Sequence, residues 1–165
     1  MILFWECVVA CVIFTLIFAG GTAINQEAFL SEYAPKVQKR YLELHPEKKL
    51  PEKQKLTPGM VAAKLLVCCF FLAILTAMVY FAGADSFLTG FSYSCLIWTV
   101  VNLWDLLALD LFLFMRWKRV RLPGTETMDA EYRENVWPSV KGWLFGIVIG
   151  LPVCLACGGI LAILR

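Results

Sequence analysis

Apolar residues in this chain come in blocks. An apolar run covers about residues 2–24, a polar and charged stretch 25–59, and a second apolar run 60–84. The short connection "GADSFLTG" leads into a third run at about 89–115, followed by a basic stretch 116–139 and a last apolar run 140–164. A helix needs ~20 apolar residues to cross a bilayer, and each run reaches that length. Open sheet edges are not tolerated in lipid, so the pattern predicts an all-α, polytopic membrane protein. The expected architecture is one domain over residues 1–165, a four-transmembrane-helix antiparallel bundle with cytoplasmic amphipathic segments. The first run has no basic residue ahead of it, carries Glu6, and exceeds the ~7–15 apolar residues of a signal peptide. It is read as a retained helix.

The polar stretches have their own pattern. Phe29, Tyr33, Val37 and Tyr41 recur every fourth residue, the stripe of an amphipathic helix, with Pro35 as a kink or the true start. Such a helix can lie along anionic headgroups or pack beneath the bundle. "HPEKKLPEKQK" reads as a charged linker, and Thr57 with Pro58 as the cap and first residue of the second run. In the later stretch, Pro123-Gly124 marks a turn, "MDAEYRENVW" a short helix, and Pro138 the restart into the fourth run. No internal repeat is visible.

Composition agrees with the pattern. Apolar residues make up 60% and charged residues 17%, against roughly 45–50% and ~25% in soluble domains; mean hydropathy is +0.71. Charge distribution adds orientation. Lys36, Lys39, Arg40, Lys48, Lys49, Lys53 and Lys55 lie in 25–59, and Arg116, Lys118, Arg119, Arg121 and Arg133 in 116–139, while "GADSFLTG" has no Lys or Arg. The positive-inside rule puts both basic segments in the cytoplasm and both termini outside. The expected location is a bacterial plasma membrane. The partners are the bilayer and its anionic headgroups, and nucleic acid is not expected.

Candidate chemistry concentrates in "VNLWDLLALDLFLFMRWKRVRLPGTE". With α-helical spacing, Thr99, Asn102, Asp105 and Asp110 share an arc of about 140°. A carboxylate at bilayer depth costs ~2.5–3.5 kcal/mol, so such residues mark a functional site or a polar clamp between helices. Asp110 lies ~9 Å from the cytoplasmic end at 1.5 Å per residue, the depth at which Lys64 enters the second run. A Lys64–Asp110 ion pair would neutralise both. Asp105 is deeper, and no other run carries Lys or Arg at its level. The candidate ligand-binding set is therefore Thr99, Asn102, Asp105, Asp110 and Lys64. An aspartic-protease dyad is rejected, because it needs carboxylates facing each other across a gap and these diverge on one helix.

Arg116, Lys118, Arg119 and Arg121 are read as contacts to lipid headgroups or to a phosphorylated ligand. Cys7 with Cys11 and Cys154 with Cys157 could form a thiol or zinc site. Cys154 also fits a small-residue stripe of Gly146, Gly150, Gly158 and Ala162. No metal is expected. The glycines are a candidate surface for a second copy or another membrane partner. His45 is the only His, and there is no P-loop or dinucleotide fingerprint. The pattern names no cofactor.

The stretch from Asn102 to Glu126 resembles uncharacterised small integral membrane proteins of Gram-positive bacteria. That resemblance covers the third run and following loop and implies a location but no activity. Length and topology also resemble the four-helix glutathione-dependent membrane enzymes, but their Glu-Arg and Arg-Asn signature is replaced here by "KLLVCCFFLAIL". The functional expectation is binding or transport of a small polar or amphiphilic molecule along the polar face of the third helix. The alternatives are a cytoplasm-facing enzyme built on Asp105, Asp110, Arg116, Arg119 and Glu126, and an accessory subunit of a membrane complex.

Overall fold

The computed structural model describes residues 2–27, 30, 33–48, 58–134 and 136–164, with backbone alone at 60, 63, 64 and 67. These residues form helices and turns, and no strand occurs among them. The order is α1 (Ile2–Ile24), α2 (Pro35–Leu44), α3 (Pro58–Phe81), α4 (Phe87–Trp104), a π-helical segment (Asp105–Phe114), a 3-10 turn (Lys118–Val120), α5 (Asp129–Arg133) and α6 (Val136–Leu164).

Local chemistry explains the ends. Pro35 and Pro58 open α2 and α3, where a missing N–H costs nothing. Pro35 is thus a start and not a kink; Thr57 lies outside the described residues. Ser86 caps α4: the Thr89 amide donates to its Oγ at 3.3 Å, and the Ser86 amide donates back to Thr89 Oγ1 at 3.0 Å. Leu122-Pro123-Gly124-Thr125 is a type II turn, closed by the Thr125 amide on Leu122 O at 3.0 Å. Gly124 takes φ +81°, which a side chain at this corner would oppose.

Three helices are long and apolar enough to cross a membrane: α1, the continuous Phe87–Phe114 helix, and the Asp129–Leu164 region that ends in α6. The expectation of four is met only in part. The second run forms a 24-residue helix, but its described apolar stretch is Cys68–Phe81, too short by itself. Large apolar side chains point outward on all the long helices, Leu16 at 67%, Leu66 at 72% and Phe145 at 66% exposed. Large apolar side chains exposed along every long helix are unusual on a water-soluble surface.

The chain folds as two compact units. The first comprises Met1–Cys11, Lys55–Asn102 and Phe145–Arg165. Its core gathers Cys7, Leu75, Val79, Ala84, Ile97, Cys157 and Leu161. Helix α6 lays its small residues on α4. A Cβ on Gly158 would lie 2.9 Å from Phe87 O, and one on Gly90 would lie 2.8 Å from Leu161 Cδ1. A Cβ on Gly150 would overlap the Trp98 indole and one on Gly146 the Asn102 amide. The Trp98 Nε1–H donates to Gly146 O at 3.0 Å. Gly146, Gly150 and Gly158 of the stripe therefore pack on the chain's own α4. Close approach of backbones is what holds helices together when lipid removes the hydrophobic drive.

The second unit comprises Val12–Gln54 and Leu103–Leu144. Its π segment packs Leu109 and Leu113 with Val120 against Phe14 and Phe18 of α1, and Trp104 Nε1–H donates to Thr15 Oγ1 at 2.8 Å. Beside this lies a compact knot of Leu30, Tyr33, Val37, Tyr41, Leu122 and Tyr132. Val37 and Tyr41, the stripe of α2, are fully buried there. The stripe thus faces the unit's own later segment and not a headgroup layer.

Candidate functional site

The second unit contains a cleft of about 260 Å³. Its walls come from Tyr33 and the start of α2 (Pro35, Gln38), the end of the π segment (Asp110, Phe114) with Met115 after it, Tyr132 of α5, and the first turns of α6 (Pro138, Ser139, Gly142).

The aromatic wall is held by hydrogen bonds that leave its hydroxyls no freedom. Tyr33 O–H donates to Val120 O at 2.5 Å, and its ring meets Phe114 and Tyr132 edge-on, with centroids 5.7 and 5.9 Å away. Thr125 O–H donates to Leu122 O at 2.8 Å, so it has no proton left for Tyr132. The Tyr132 hydroxyl must then donate to Thr125 Oγ1 at 2.7 Å while accepting the Leu122 amide at 3.0 Å. Burial pushes both phenols above their ordinary range. Neither is available as a phenolate base or nucleophile at neutral pH. Gln38 Nε2 donates to Tyr33 O at 2.6 Å, which fixes the amide at the cleft edge.

Among the described residues, Asp110 is the charged one in this lining. In the π segment each amide bonds five residues back, so Asp105 and Asp110 are one hydrogen-bonded step apart. At α-helical spacing they would diverge by about 140°; the wider π turn brings them nearer one side of the helix. Both are half-buried, and Asp110 alone lines the cleft. The face drawn from α-helical spacing is not kept. Thr99 is exposed. Asn102 turns back on its own helix, donating to Trp98 O at 3.0 Å, and packs beside Gly146. The Lys64 side chain lies outside the described residues, and with it the expected pair to Asp110.

The basic group divides. Arg116, Lys118 and Arg119 are exposed, as headgroup or ligand contacts require. Arg121 is 4% exposed and turned inward. It pairs with Asp129 at 2.5 Å, donates to Glu126 O at 2.6 Å, and stacks 4.8 Å over the Tyr132 ring. It is a strut of the knot and not a surface cation. Hydrogen bonding to Arg121 holds the Asp129 carboxyl below its ordinary range. The residues of the enzyme alternative stay dispersed: the Glu126 carboxylate accepts the Gly124 amide at 3.0 Å, and Asp105, Arg116, Arg119 and Glu126 are all absent from the cleft lining.

Cys7, Cys11, Cys154 and Cys157 are buried and no disulfide joins them, and Cys7 and Cys157 pack as small apolar side chains in the first core. Among the described residues, no group of three or more His, Cys, Asp or Glu gathers to hold a metal ion. Sequence reasoning missed Gln38, Phe114, Tyr132, Ser139 and Gly142. It had placed Tyr33 on a packing stripe only. No local motif marks them, because they meet only through tertiary packing. No protein-family model, curated protein or solved structure matches this chain.

Proposed function

We propose that this is a four-span protein of a bacterial plasma membrane that binds or moves a small polar or amphiphilic molecule through the Asp110 cleft. Helix α3 is the fourth span in this reading: it is 24 residues long and turns Leu65, Leu66, Phe70 and Phe71 outward. Both basic segments face the cytoplasm and both termini face outward. Cys introduced at Ser86 then reacts with an impermeant thiol reagent in intact cells, and Cys introduced at Gln54 reacts only after lysis. The reverse pattern overturns the orientation.

One observation carries the functional reading: a cleft with a carboxylate and a fixed aromatic wall at the end of a membrane-crossing helix. Gln38, Ser139 and Asp110 line the cleft together with apolar and aromatic side chains, a mixture found at ligand sites. The phenols among the described lining residues are committed to hydrogen bonds within the protein, which favours binding over catalysis in this reading. The test is a thermal-shift panel of short-chain cationic, anionic and neutral amphiphiles on the full chain in nanodiscs. At least one stabilises the wild type and fails on Gly142→Phe, which fills the cleft. A panel in which no probe distinguishes the two proteins refutes the reading.

A further inference from the structure

We propose that the turn Arg116–Arg119 is a binding site for anionic phospholipid headgroups at the membrane surface where the Phe87–Phe114 helix ends. This rests on that helix crossing a bilayer and not on what the Asp110 cleft binds.

The turn has a fixed backbone and free side chains. The Trp117 amide donates to Leu113 O at 3.0 Å and the Val120 amide to Trp117 O at 3.2 Å, so the π segment runs directly into the 3-10 turn. Val120 is buried with Leu109 and Leu113. Two residues of the earlier polar segment clamp the turn: Gln26 Nε2–H donates to Arg119 O at 2.7 Å, and Tyr33 O–H to Val120 O at 2.5 Å. A 3-10 helix has three residues per turn, so successive side chains stand about 120° apart. With Val120 turned into the core, Lys118 and Arg119 are directed to the two outer sides. Arg116, Trp117, Lys118 and Arg119 are all exposed. A ligand meeting them orders four side chains but no backbone, which lowers the entropy cost of binding.

Charge points to an anion. Among the described residues, the Lys and Arg ion pairs use Lys36, Arg40, Lys48 and Arg121 and none of Arg116, Lys118 and Arg119. The acids of this unit are engaged elsewhere: Glu134 with Lys36, Glu27 with Lys48, Asp129 with Arg121, and Glu126 with the Gly124 amide. Three cations within four residues repel one another, and an anion shared among them relieves that repulsion through charge-assisted hydrogen bonds.

The surroundings point to a lipid as the source of that anion. Phe112, about one turn earlier, is 62% exposed, as a hydrocarbon-facing ring requires. Trp117 follows it, the kind of ring that settles at headgroup level. Phe114 and Met115 share the cleft wall with Pro138 and Ser139, so α6 starts beside this end of the helix. There Trp137 is exposed and Lys141 Nζ lies 5.5 Å over its ring. Lys141 thus reaches back toward the start of α6, the way a lysine brings its charge to the interface. Two neighbouring spans therefore end in the same order, apolar then aromatic then basic, which matches the acyl chain, glycerol and phosphate of a lipid. A soluble phosphate has nothing to place on the rings.

The full chain in dodecyl maltoside is titrated with phosphatidylglycerol and phosphatidylcholine of identical acyl chains, and bound lipid is counted by native mass spectrometry. A basic residue at an anionic surface favours binding about fivefold. The wild type is therefore expected to bind phosphatidylglycerol at least tenfold more tightly than phosphatidylcholine. Combining Arg116→Gln, Lys118→Gln and Arg119→Gln is expected to bring the two lipids within about threefold. The pair Lys39→Gln and Arg40→Gln, exposed cations of α2, is expected to leave the preference intact. Equal binding of the two lipids by the wild type overturns the site, as does a preference that survives the triple change. A preference lost equally in the α2 pair overturns it in favour of diffuse charge. Glycerol phosphate displacing phosphatidylglycerol at equal concentration overturns the lipid source. Retention of neither lipid sinks the membrane reading along with the site. Where the triple variant fails to fold, Lys118→Gln and Arg119→Gln singly decide: each is expected to weaken phosphatidylglycerol about fivefold and leave phosphatidylcholine unchanged, and no change in either overturns the site.

Discussion

The packing of α6 on α4 yields a test in which one substitution has opposite signs at two positions of one helix. Gly150→Ala drives a methyl into the Trp98 indole. Relief requires the ring to leave or the helices to part, and overpacking of this kind costs ~1–3 kcal/mol. Either movement also removes the 3.0 Å bond from Trp98 Nε1–H to Gly146 O, and an interhelical hydrogen bond in a membrane contributes roughly 0.6–2 kcal/mol. Alanine recovers about 0.5–1 kcal/mol of helix propensity. The net expectation is a loss of roughly 1–4 kcal/mol. At Gly159 the same methyl meets nothing within 4 Å, so only the propensity gain of ~0.5–1 kcal/mol remains. The assay is reversible unfolding in mixed micelles, titrated with dodecyl sulfate and followed by circular dichroism. Adding Trp98→Ala to Gly150→Ala should recover part of the loss, since the clash partner is gone. Equal effects at Gly150 and Gly159, or strict additivity with Trp98→Ala, would show that α6 does not seat on α4 through these glycines.

Two further expectations concern the second unit. Tyr132→Phe removes the acceptor of the buried Leu122 amide and should cost ~1–3 kcal/mol; a melt unchanged within error would contradict the hydroxyl network. Hydrogen bonding to Lys48 and Arg121 holds the Glu27 and Asp129 carboxyls below their ordinary values of 4.5 and 3.8. A lowered carboxyl stabilises the fold fully above its ordinary value and loses that contribution as pH falls through the lowered one. Hydrogen exchange across 33–48 and 117–133 should therefore accelerate between pH 5 and about pH 3, beyond the intrinsic pH effect; protection held to pH 3 would show that these pairs do not support the knot.

Much of the helical layout was legible in the order of residues because it depends on local chemistry. Burying apolar area in lipid is a property of composition, so the long runs announced themselves without reference to one another. Pro58 and the Pro123-Gly124 turn act within a few residues and stand where the pattern put them, and Pro35 takes the second of its two expected roles, as a helix start. What depends on distant partners was not legible. The arc joining Thr99 to Asp110 assumed one helical period, and the π segment from Asp105 changes that period. Burial of Leu109 and Leu113 against Phe14, Phe18 and Val120 accompanies the change. Arg121 looks like Arg119 in the sequence; only the folded loop brings Asp129 and the Tyr132 ring to it. The glycine stripe was visible as a surface, but its occupant is α4, which register and close approach decide. The cleft is the extreme case: Tyr33, Asp110, Tyr132 and Gly142 stand far apart in the chain, and their common chemistry exists only because three helices and a loop converge.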